Sequence, residues 1–298
     1  MIDPLGLIAG EGMFPLLVAR GARAAGRRVA CAALAGCAWP ELRGECDDFT
    51  WVGVLRLGQW ARVLRGAGCR EAIMVGRVVK AQMYSRWRYL QYIPDLTTAR
   101  LWFGELRHDK SPARVLGTIA RYLAAEGITL IDSTTYTPDQ LATPGVMGKR
   151  QPTDKQWADI RFGWERCQAL SRMDIGQAVA VIDREVIAVE ALEGTNAMIE
   201  RAGALCRSGG WALIKVANTG QDMRMDVPTI GTTTIEKLAV ARAACLVCEP
   251  GKTIILEKQK VLELADRYKI AVVGYESRST DAEAPAASAE GPFDTHHG

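Results

Sequence analysis

Histidine is scarce in this chain, with only three among 298 residues. Two of them lie among the last three residues, which leaves His108 as the one histidine in the body of the sequence. A Ser-His-Asp triad or a His-ligated metal site needs a histidine that the fold can place. Zinc hydrolases and histidine-dependent metallophosphoesterases are therefore disfavoured. The Gly-x-x-x-x-Gly-Lys-Ser/Thr loop of the P-loop NTPases is missing as well.

Long apolar runs and blocks of like charge are also missing. Charges or glycines interrupt every apolar run before it reaches the 18 or more residues of a membrane span. The net charge is only +3, and no block of Lys and Arg predicts nucleic-acid binding. Residues 1–12 lack the basic region and apolar core of a secretory signal. We therefore expect a cytoplasmic protein with no nucleic-acid partner, and peripheral contact with a membrane stays open.

The eight cysteines are scattered through the sequence. In a cytoplasmic protein they are expected to be reduced, buried and apolar in role. Cys245 and Cys248 have the spacing of half a zinc site, but no second pair lies at a matching distance. The surrounding Ala-Cys-Leu-Val-Cys instead predicts a buried strand.

Short apolar runs alternate with amphipathic stretches in the first half, which is typical of βαβ units and a mainly parallel sheet. The predicted strands are 5–9, 28–34, 71–75 and 129–132, and the predicted helices are 14–25, 57–65 and 111–125. In the second half, the predicted strands are 177–182, 186–190, 212–216, 270–273 and two short ones before the last helix. The predicted helices of this half are 154–171, 196–206, 233–244 and 259–268. The hairpin there predicts a mixed sheet.

These patterns predict an α/β protein of two domains with a substrate cleft between them. Residues 1–136 form the Rossmann-like domain, and the Pro- and Gly-rich residues 137–153 form a linker. Residues 154–275 form the mixed α/β domain. Residues 276–298 contain almost no large apolar side chains and are expected to be a disordered tail.

Glycines mark the ends of two strands in the first half. Gly10 and Gly12 lie between a strand and a helix, where backbone N–H groups favour an anion, although a simple packing turn explains them equally well. They do not complete the Gly-x-Gly-x-x-Gly fingerprint, which disfavours a nicotinamide oxidoreductase. Gly76 and Arg77 end another strand, where open α/β sheets bind their ligands.

The second half combines acids with cations in and around one loop, 221–231. Asp222 and Asp226 flank Arg224, a set of side chains suited to a divalent cation and a phosphate. A solvated Asp222–Arg224 pair is the alternative. Nearby strand and helix ends carry further polar residues, namely Glu190, Glu193, Gly194, Thr195 and Lys215. Thr195 is expected to cap a helix, and an acid at Glu190 is costly unless it is paired.

Five phrases in this sequence resemble one enzyme family, the LpxI-type UDP-2,3-diacylglucosamine pyrophosphatases. They are GLIAGEGMFP (6–15), MVGRV (74–78), DIGQAV (174–179), VEALEGTNAMI (189–199) and QDMRMDVPTIG (221–231). The resemblance implies a cytoplasmic, metal-dependent hydrolase of lipid A synthesis with the substrate between two domains. Its products would be UMP and 2,3-diacylglucosamine 1-phosphate (lipid X).

The resemblance also implies roles for individual residues. Asp226 matches the principal catalytic acid of the family, with Asp222, Arg224 and Lys215 as further catalytic residues. The implied ligands of Mg²⁺, or of another divalent cation, are Asp226, Asp222 and Glu193. The implied substrate-binding residues are Gly10, Gly12, Gly76, Arg77, Asp109, Gln177, Gly194, Thr195 and Thr229. Two positions depart from the family pattern: Asn196 replaces an expected Asp, and Asp109 is what remains of an acid-rich phrase.

An aromatic-rich segment between residues 87 and 103 has weak periodicity. It could line a groove for acyl chains, contact the inner face of the inner membrane, or pack in the core or in a homodimer. Asp109 could face a cleft or cap the helix that begins near Ser111. The alternative to an enzyme is a non-catalytic nucleotide or nucleotide-sugar binding protein, which would bind UDP without turnover.

Overall fold

The computed structural model describes residues 3–78, 93–218, 222–224 and 227–277. The predicted tail lies outside these residues except for its first two positions, and so do Asp226 and the aromatic residues Trp87, Tyr89 and Tyr92. The α/β fold predicted from the sequence is confirmed, with a parallel sheet in the first half and a mixed sheet in the second.

The first sheet has five parallel strands in the order β3-β2-β1-β4-β5. Its strands are β1 (Leu5–Ala9), β2 (Val29–Leu34), β3 (Asp48–Val52), β4 (Glu71–Val75) and β5 (Thr129–Leu130). The helices are α1 (Met13–Ala24), α2 (Leu57–Gly66), α3 (Leu96–Phe103) and α4 (Pro112–Ala125). Strand order reverses at β1, because β2 lies on one side of it and β4 on the other.

Alternate residues of β1 enter different cores, as the two-residue period of a strand requires. Leu5 and Leu7 pack with α1 on one face, while Ile8 packs with α2 and α4 on the other. Both faces of the sheet are therefore covered, which explains why β1 and β2 are buried along their whole length.

The second sheet has six strands in the order β6-β13-β11-β9-β7-β8. Its strands are β6 (Gly145–Val146), β7 (Ala178–Ile182), β8 (Glu185–Val189), β9 (Ala212–Lys215), β11 (Cys245–Cys248) and β13 (Ala271–Gly274). β9, β11 and β13 are parallel, and β6, β7 and β8 each run antiparallel to a neighbour. The predicted hairpin is confirmed, and its turn holds Asp183 and Arg184 at φ values of 54° and 57°.

Helices cover both faces of this sheet too. α5 (Asp154–Arg172) packs on one face. The other face is covered by α6 (Thr195–Leu205), α7 (Thr232–Val240) and α8 (Lys258–Arg267). A capping box at Thr153 and Gln156 begins α5, which accounts for the sharp start of this helix after the linker.

Two small strands connect the halves of the molecule. β10 (Thr229–Ile230) pairs with β12 (Ile254–Ile255). Ile254 belongs to the apolar core formed by β1 and α1, and Val227 packs against that core. The two sheets are thus joined by a shared apolar contact as well as by the chain.

Several sequence-based assignments were incomplete or wrong. β3, α3 and β10 were not predicted, and β10 lies within residues 221–231, which were expected to form a loop. The predicted helix 233–244 ends at Val240, because Arg242 adopts a left-handed φ of 58°. The segment 137–153, expected to be only a linker, supplies β6 to the second sheet.

Six of the eight cysteines are buried, as the sequence predicted, while Cys46 and Cys206 are partly exposed. All eight are free thiols, and Cys245 and Cys248 lie in the buried strand β11. Burial raises the pKa of each of these two thiols to about 12, so neither forms a thiolate readily. Among the described helices, none combines the length and apolar character needed to cross a membrane.

Candidate functional site

Three adjacent strand ends meet at one edge of the second sheet. Lys215 ends β9, Gln177 immediately precedes β7, and Glu190 immediately follows β8. Backbone bonds fix this register: the N–H of Val216 donates to Gln177 O at 2.9 Å, and the N–H of Glu190 donates to Ala178 O at 2.8 Å. The carboxyl ends of parallel strands are where open α/β sheets place ligands.

Lys215, Thr195 and Glu190 form a hydrogen-bonded chain at this edge. Lys215 Nζ donates to Thr195 Oγ1 at 2.7 Å, and Thr195 Oγ1 donates to Glu190 Oε1 at 2.7 Å. Lys215 Nζ also lies 3.8 Å from Glu190 Oε2, and the two charged side chains are only 7% and 8% exposed. The charges are paired inside the protein, which offsets the high cost of burying either alone.

The expected capping role of Thr195 is wrong. The N-cap of α6 is Gly194, with a φ of 82°, and Thr195 is the first helical residue. Its hydroxyl is taken up by the bonds to Lys215 and Glu190 instead. Gly194 and Thr195 therefore bring the helix N-terminus, with its partial positive charge, next to the buried ion pair.

Glu193 points to a different partner from Glu190. Its Oε1 pairs with Arg201 at 2.5 Å, and its Oε2 accepts a bond from the N–H of Ala191 at 3.1 Å. Its own backbone N–H and then Arg201 hold the pKa of Glu193 below its usual value. Glu193 is therefore bound at the surface by Arg201 of α6 and takes no part in the hydrogen bonds between Lys215, Thr195 and Glu190.

Asp222 and Arg224 form a two-pronged ion pair in the loop between β9 and β10. Arg224 Nε lies 2.8 Å from Asp222 Oδ1, and Arg224 Nη2 lies 2.6 Å from Asp222 Oδ2. These bonds hold the pKa of Asp222 below its usual value and raise that of Arg224. Both side chains remain partly exposed, at 34% and 45%, so the pair is open to a ligand and to solvent.

The same loop reaches the first sheet. Met223 O accepts bonds from both the N–H and the Oγ of Ser133, at 3.1 Å and 2.7 Å. Ser133 follows β5, so it lies beyond the carboxyl end of a strand of the first sheet. The loop that carries Asp222 and Arg224 thus lies against the carboxyl edge of the first sheet while leaving the carboxyl end of β9 in the second.

The predicted glycine positions of the first sheet lie at its strand-order reversal. Glu11 and Arg77 exchange backbone hydrogen bonds of 2.9 Å and 3.0 Å, which join the ends of β1 and β4. A Cβ on Gly10 would lie 2.7 Å from Arg77 O, and one on Gly76 would lie 2.6 Å from the carbonyl carbon of Gly10. These glycines are therefore required by the close approach of the two backbones.

Gly12 has a different role from Gly10 and Gly76. It is the N-cap of α1, with a φ of 116°, and nothing lies within 4 Å of the position of its missing Cβ. The first turn of α1 contains no acidic residue. An uncapped helix N-terminus beside the exposed Arg77 is electrostatically suited to an anion.

The two remaining predicted substrate residues make local contacts. Asp109 accepts a bond from the N–H of Ser111 at 2.8 Å, and bonds to Ser111 lower the pKa of Asp109. Ser111 is the N-cap of α4 but makes no capping bond with its own side chain. Thr229 Oγ1 donates to Val227 O at 3.0 Å. None of these contacts joins either residue to the Lys215 cluster.

No group of three or more His, Cys, Asp or Glu side chains suited to a metal lies within the described part of the chain. Of the three predicted ligands, Asp222 and Glu193 are engaged by arginines, and Asp226 lies outside the described residues. The described residues alone therefore do not form a metal site.

Glu190 and Ser133 contact predicted site segments in the structure but were not assigned a site role from the sequence. Glu190 could be noticed in the sequence as an acid ending an apolar strand, but Glu193 was chosen as the metal ligand. Two atoms at this edge, Glu190 Oε2 and Gln177 Oε1, are buried without a hydrogen-bond partner among the described residues. Ser133 gave no signal, because its bond to Met223 joins residues 90 positions apart.

Family models match both halves of the chain. The LpxI N-terminal domain matches residues 4–140, and the LpxI C-terminal domain matches residues 143–273. A protein of Caulobacter vibrioides named "UDP-2,3-diacylglucosamine pyrophosphatase LpxI" is 31% identical over 281 residues, which cover 91% of this chain and 96% of that protein. The chain therefore belongs to the LpxI family.

Proposed function

We propose that this protein hydrolyses the diphosphate of UDP-2,3-diacylglucosamine, with UMP and 2,3-diacylglucosamine 1-phosphate as products. The observation that carries the proposal is the position of the loop after β9. It carries Asp222 and Arg224, leads on to Asp226, and is held against the first sheet by the bonds between Ser133 and Met223. The Caulobacter relative is named for this activity.

The charged groups of the two sheets suit the two ends of such a substrate. In the proposal, the first sheet binds the nucleotide through the glycine-lined strand ends, the N-terminus of α1, Arg77 and Asp109. Lys215 and Arg224 bind diphosphate oxygens, since a guanidinium and an ammonium both pair strongly with phosphate. Gln177, Gly194, Thr195 and Thr229 complete the proposed substrate contacts from the second domain.

The reaction needs a water molecule, a base and stabilisation of the charge on the departing phosphate. Water adds to one phosphorus, the bridging P–O bond breaks, and its electron pair leaves with the other phosphate. The proton lost by the water goes to a base, for which Asp226 is the proposed residue. Lys215 and Arg224 offset the negative charge that gathers on the phosphate oxygens as the bond breaks.

A divalent cation, Mg²⁺ or another, is part of the proposal. When bound, it supplies charge neutralisation and a more acidic water. Mg²⁺ is commonly held by one or two carboxylates together with substrate phosphates. The proposed ligands are Asp222, Glu193 and Asp226, of which Asp226 could instead be the base. To bind the cation, Asp222 or Glu193 would have to share its arginine partner or release it.

The test is release of UMP by the purified protein. We expect UMP release with Mg²⁺, loss of release on chelation, and recovery when the cation is restored. Asp226→Ala and Asp226→Asn should lower the rate at least about 100-fold without changing the circular dichroism spectrum. Asp48→Ala is the matched control, because within the described part of the chain Asp48 forms an exposed ion pair with Arg28.

A fully active Asp226→Ala variant would refute the assignment of this acid. Binding of UDP with no turnover by the wild-type protein would favour the non-catalytic nucleotide-binding alternative. Isothermal titration with UDP, run beside the UMP assay, separates these two outcomes.

The exposed apolar side chains of α3 support a further part of the proposal. Leu96, Trp102 and Phe103 are 91%, 38% and 74% exposed, although they lie on a helix that packs against α2. In the proposal, this surface contacts acyl chains of the substrate or the inner face of the inner membrane. Co-sedimentation with vesicles of anionic phospholipid should fall for Phe103→Ser, and unchanged sedimentation would remove membrane contact from the proposal. Homodimerisation is the other proposed use of this surface, and the mass in solution tests it.

A further inference from the structure

Glu190 has no role in the reaction proposed above, yet it is among the most unusual acids in the described structure. Its side chain is 8% exposed, and it follows a strand, β8, whose residues are apolar after the first. Burial of a carboxylate in such a place is costly unless a cation and hydrogen bonds compensate.

The hydroxyl of Thr195 gives Glu190 a directed connection to Lys215. A threonine hydroxyl has one proton to donate and lone pairs that accept. Because the proton points to Glu190 Oε1 at 2.7 Å, a lone pair is available to accept from Lys215 Nζ, also at 2.7 Å. The direct distance from Lys215 Nζ to Glu190 Oε2 is longer, at 3.8 Å. The shortest bonded connection between the two charges therefore runs through Thr195.

The backbone around Glu190 is also tightly fixed. Its N–H donates to Ala178 O at 2.8 Å, which continues the pairing of β7 and β8. Gly176 packs so closely that a Cβ there would lie 1.9 Å from Glu190 O. Glu190 thus has a rigid base from which to orient a flexible lysine side chain.

We propose that Glu190 and Thr195 are positioning residues that hold the Lys215 ammonium at the carboxyl edge of the second sheet, where it binds a diphosphate oxygen. The inference rests on the proposed function for its substrate and adds roles for both residues. Besides its proposed substrate contact, Thr195 acts through Lys215, and Glu190 acts through Thr195. A lysine side chain has four rotatable bonds, so fixing its end before the substrate arrives reduces the cost of binding in the productive geometry.

Two readouts test the inference: kcat/KM for UMP release and the affinity for UDP measured by calorimetry. Glu190→Gln and Thr195→Val should each lower kcat/KM by about 10- to 100-fold and weaken UDP binding by about 10-fold, as expected for loss of one charge-assisted contact. Thr195→Ser retains the hydroxyl and should stay within about 3-fold of the wild type. Glu200→Gln, on the same helix and paired with Lys237 at the surface, is the control and should match the wild type.

A double-mutant cycle separates positioning from a general structural effect. If Glu190 acts through Lys215, adding Glu190→Gln to Lys215→Met should change neither readout by more than about 2-fold. The inference would be overturned if the effects of Glu190→Gln and Lys215→Met on kcat/KM were fully additive in folded proteins. It would also be overturned if Glu190→Gln and Thr195→Val both kept the kcat/KM and UDP affinity of the wild type. Failure of the wild type to release UMP would overturn the proposed function instead, and UDP affinity would still decide whether Glu190 and Thr195 position Lys215.

Discussion

Removing the cation from the Glu190–Lys215 pair gives a sharp thermodynamic prediction. In Lys215→Met the apolar stem is largely retained, while Glu190, 8% exposed, loses the cation beside it. Breaking one side of a buried pair typically costs about 3–5 kcal/mol. The carboxyl group can limit this cost by taking up a proton. For an ordinary glutamate with a pKa of about 4.3, protonation at pH 7 costs about 3.7 kcal/mol, at about 1.36 kcal/mol per pH unit. We therefore expect a loss of about 3 kcal/mol at pH 7.

The sign of the pH dependence follows from the same argument. In the variant, the folded protein holds a proton that the unfolded chain releases above about pH 4.3, so stability falls as pH rises. The loss should therefore shrink to about 1 kcal/mol at pH 5. The double variant Lys215→Met/Glu190→Gln carries no buried charge at these positions and should lie within about 1 kcal/mol of the wild type at both pH values.

Urea unfolding at pH 5, 6 and 7, with midpoint and slope fitted separately, measures these differences. Lys237→Met is the control, because the partner of Lys237 is Glu200, whose side chain is 65% exposed. That variant should lose less than about 1 kcal/mol. A loss below about 0.5 kcal/mol for Lys215→Met at pH 7, or a loss that does not shrink at pH 5, would refute the reasoning.

Three further predictions concern the two sheets and the loop between them. Gly76→Ala should lower the free energy of unfolding in urea by about 2–3 kcal/mol, because the φ of Gly76 is 94° and an added Cβ would meet Gly10. The control Gly26→Ala should lose only about 1 kcal/mol, because Gly26 has a φ of 75° but no atom lies within 4 Å of the added Cβ. Asp222→Asn should lower the free energy of unfolding by less than about 1 kcal/mol at pH 7. Because Arg224 lowers the pKa of Asp222, this difference in stability from the wild type should persist above about pH 4 and vanish as the pH falls through the lowered pKa. Ser133→Ala should raise KM for UMP release a few-fold, because one of two bonds to Met223 O is lost, and an unchanged KM would count against the proposed loop position.

The regular parts of the fold were predictable from periodicity. β1, β2 and β4 are short buried runs between turn signals, and both faces of their sheet are covered, so local pattern and tertiary packing agree. β3 was missed because it is an edge strand. Its sequence, Asp-Phe-Thr-Trp-Val, leaves only the last residue buried and gives no clear alternation.

Short strands are harder to predict, because long-range pairing defines them. β10 contains two residues and exists through its pairing with β12, about 25 positions further along the chain. β6 likewise depends on β13, which lies at the other end of the second half. A proline- and glycine-rich sequence predicts a loop in both cases, and local signals cannot reveal the distant partner.

Polar residues at strand ends could be picked out from the sequence as candidates, but their hydrogen-bond partners could not. Lys215 was identified because it ends an apolar strand, and Glu190 was noticed for the same reason. The choice of Glu193 over Glu190 as the third acid depended on side-chain direction, which spacing within a non-helical turn does not determine. In the structure, a surface arginine, Arg201, engages Glu193.

The burial of Glu190 and Lys215 fits the proposed function better than it fits a stabilising role. Replacing a buried ion pair with apolar residues of similar size is often neutral or stabilising, so the pair is weak evidence for a stabilising role. It lies at the carboxyl ends of the strands and beside the uncapped N-terminus of α6, and the loop bearing Asp222 and Arg224 follows β9 directly. In the proposed function Lys215 binds a phosphate oxygen, so its ammonium has to be held in a fixed position before the substrate arrives. The geometry meets this need, because the Thr195 hydroxyl makes a short bond to Lys215 Nζ while Glu190 Oε2 pairs with the same nitrogen from 3.8 Å.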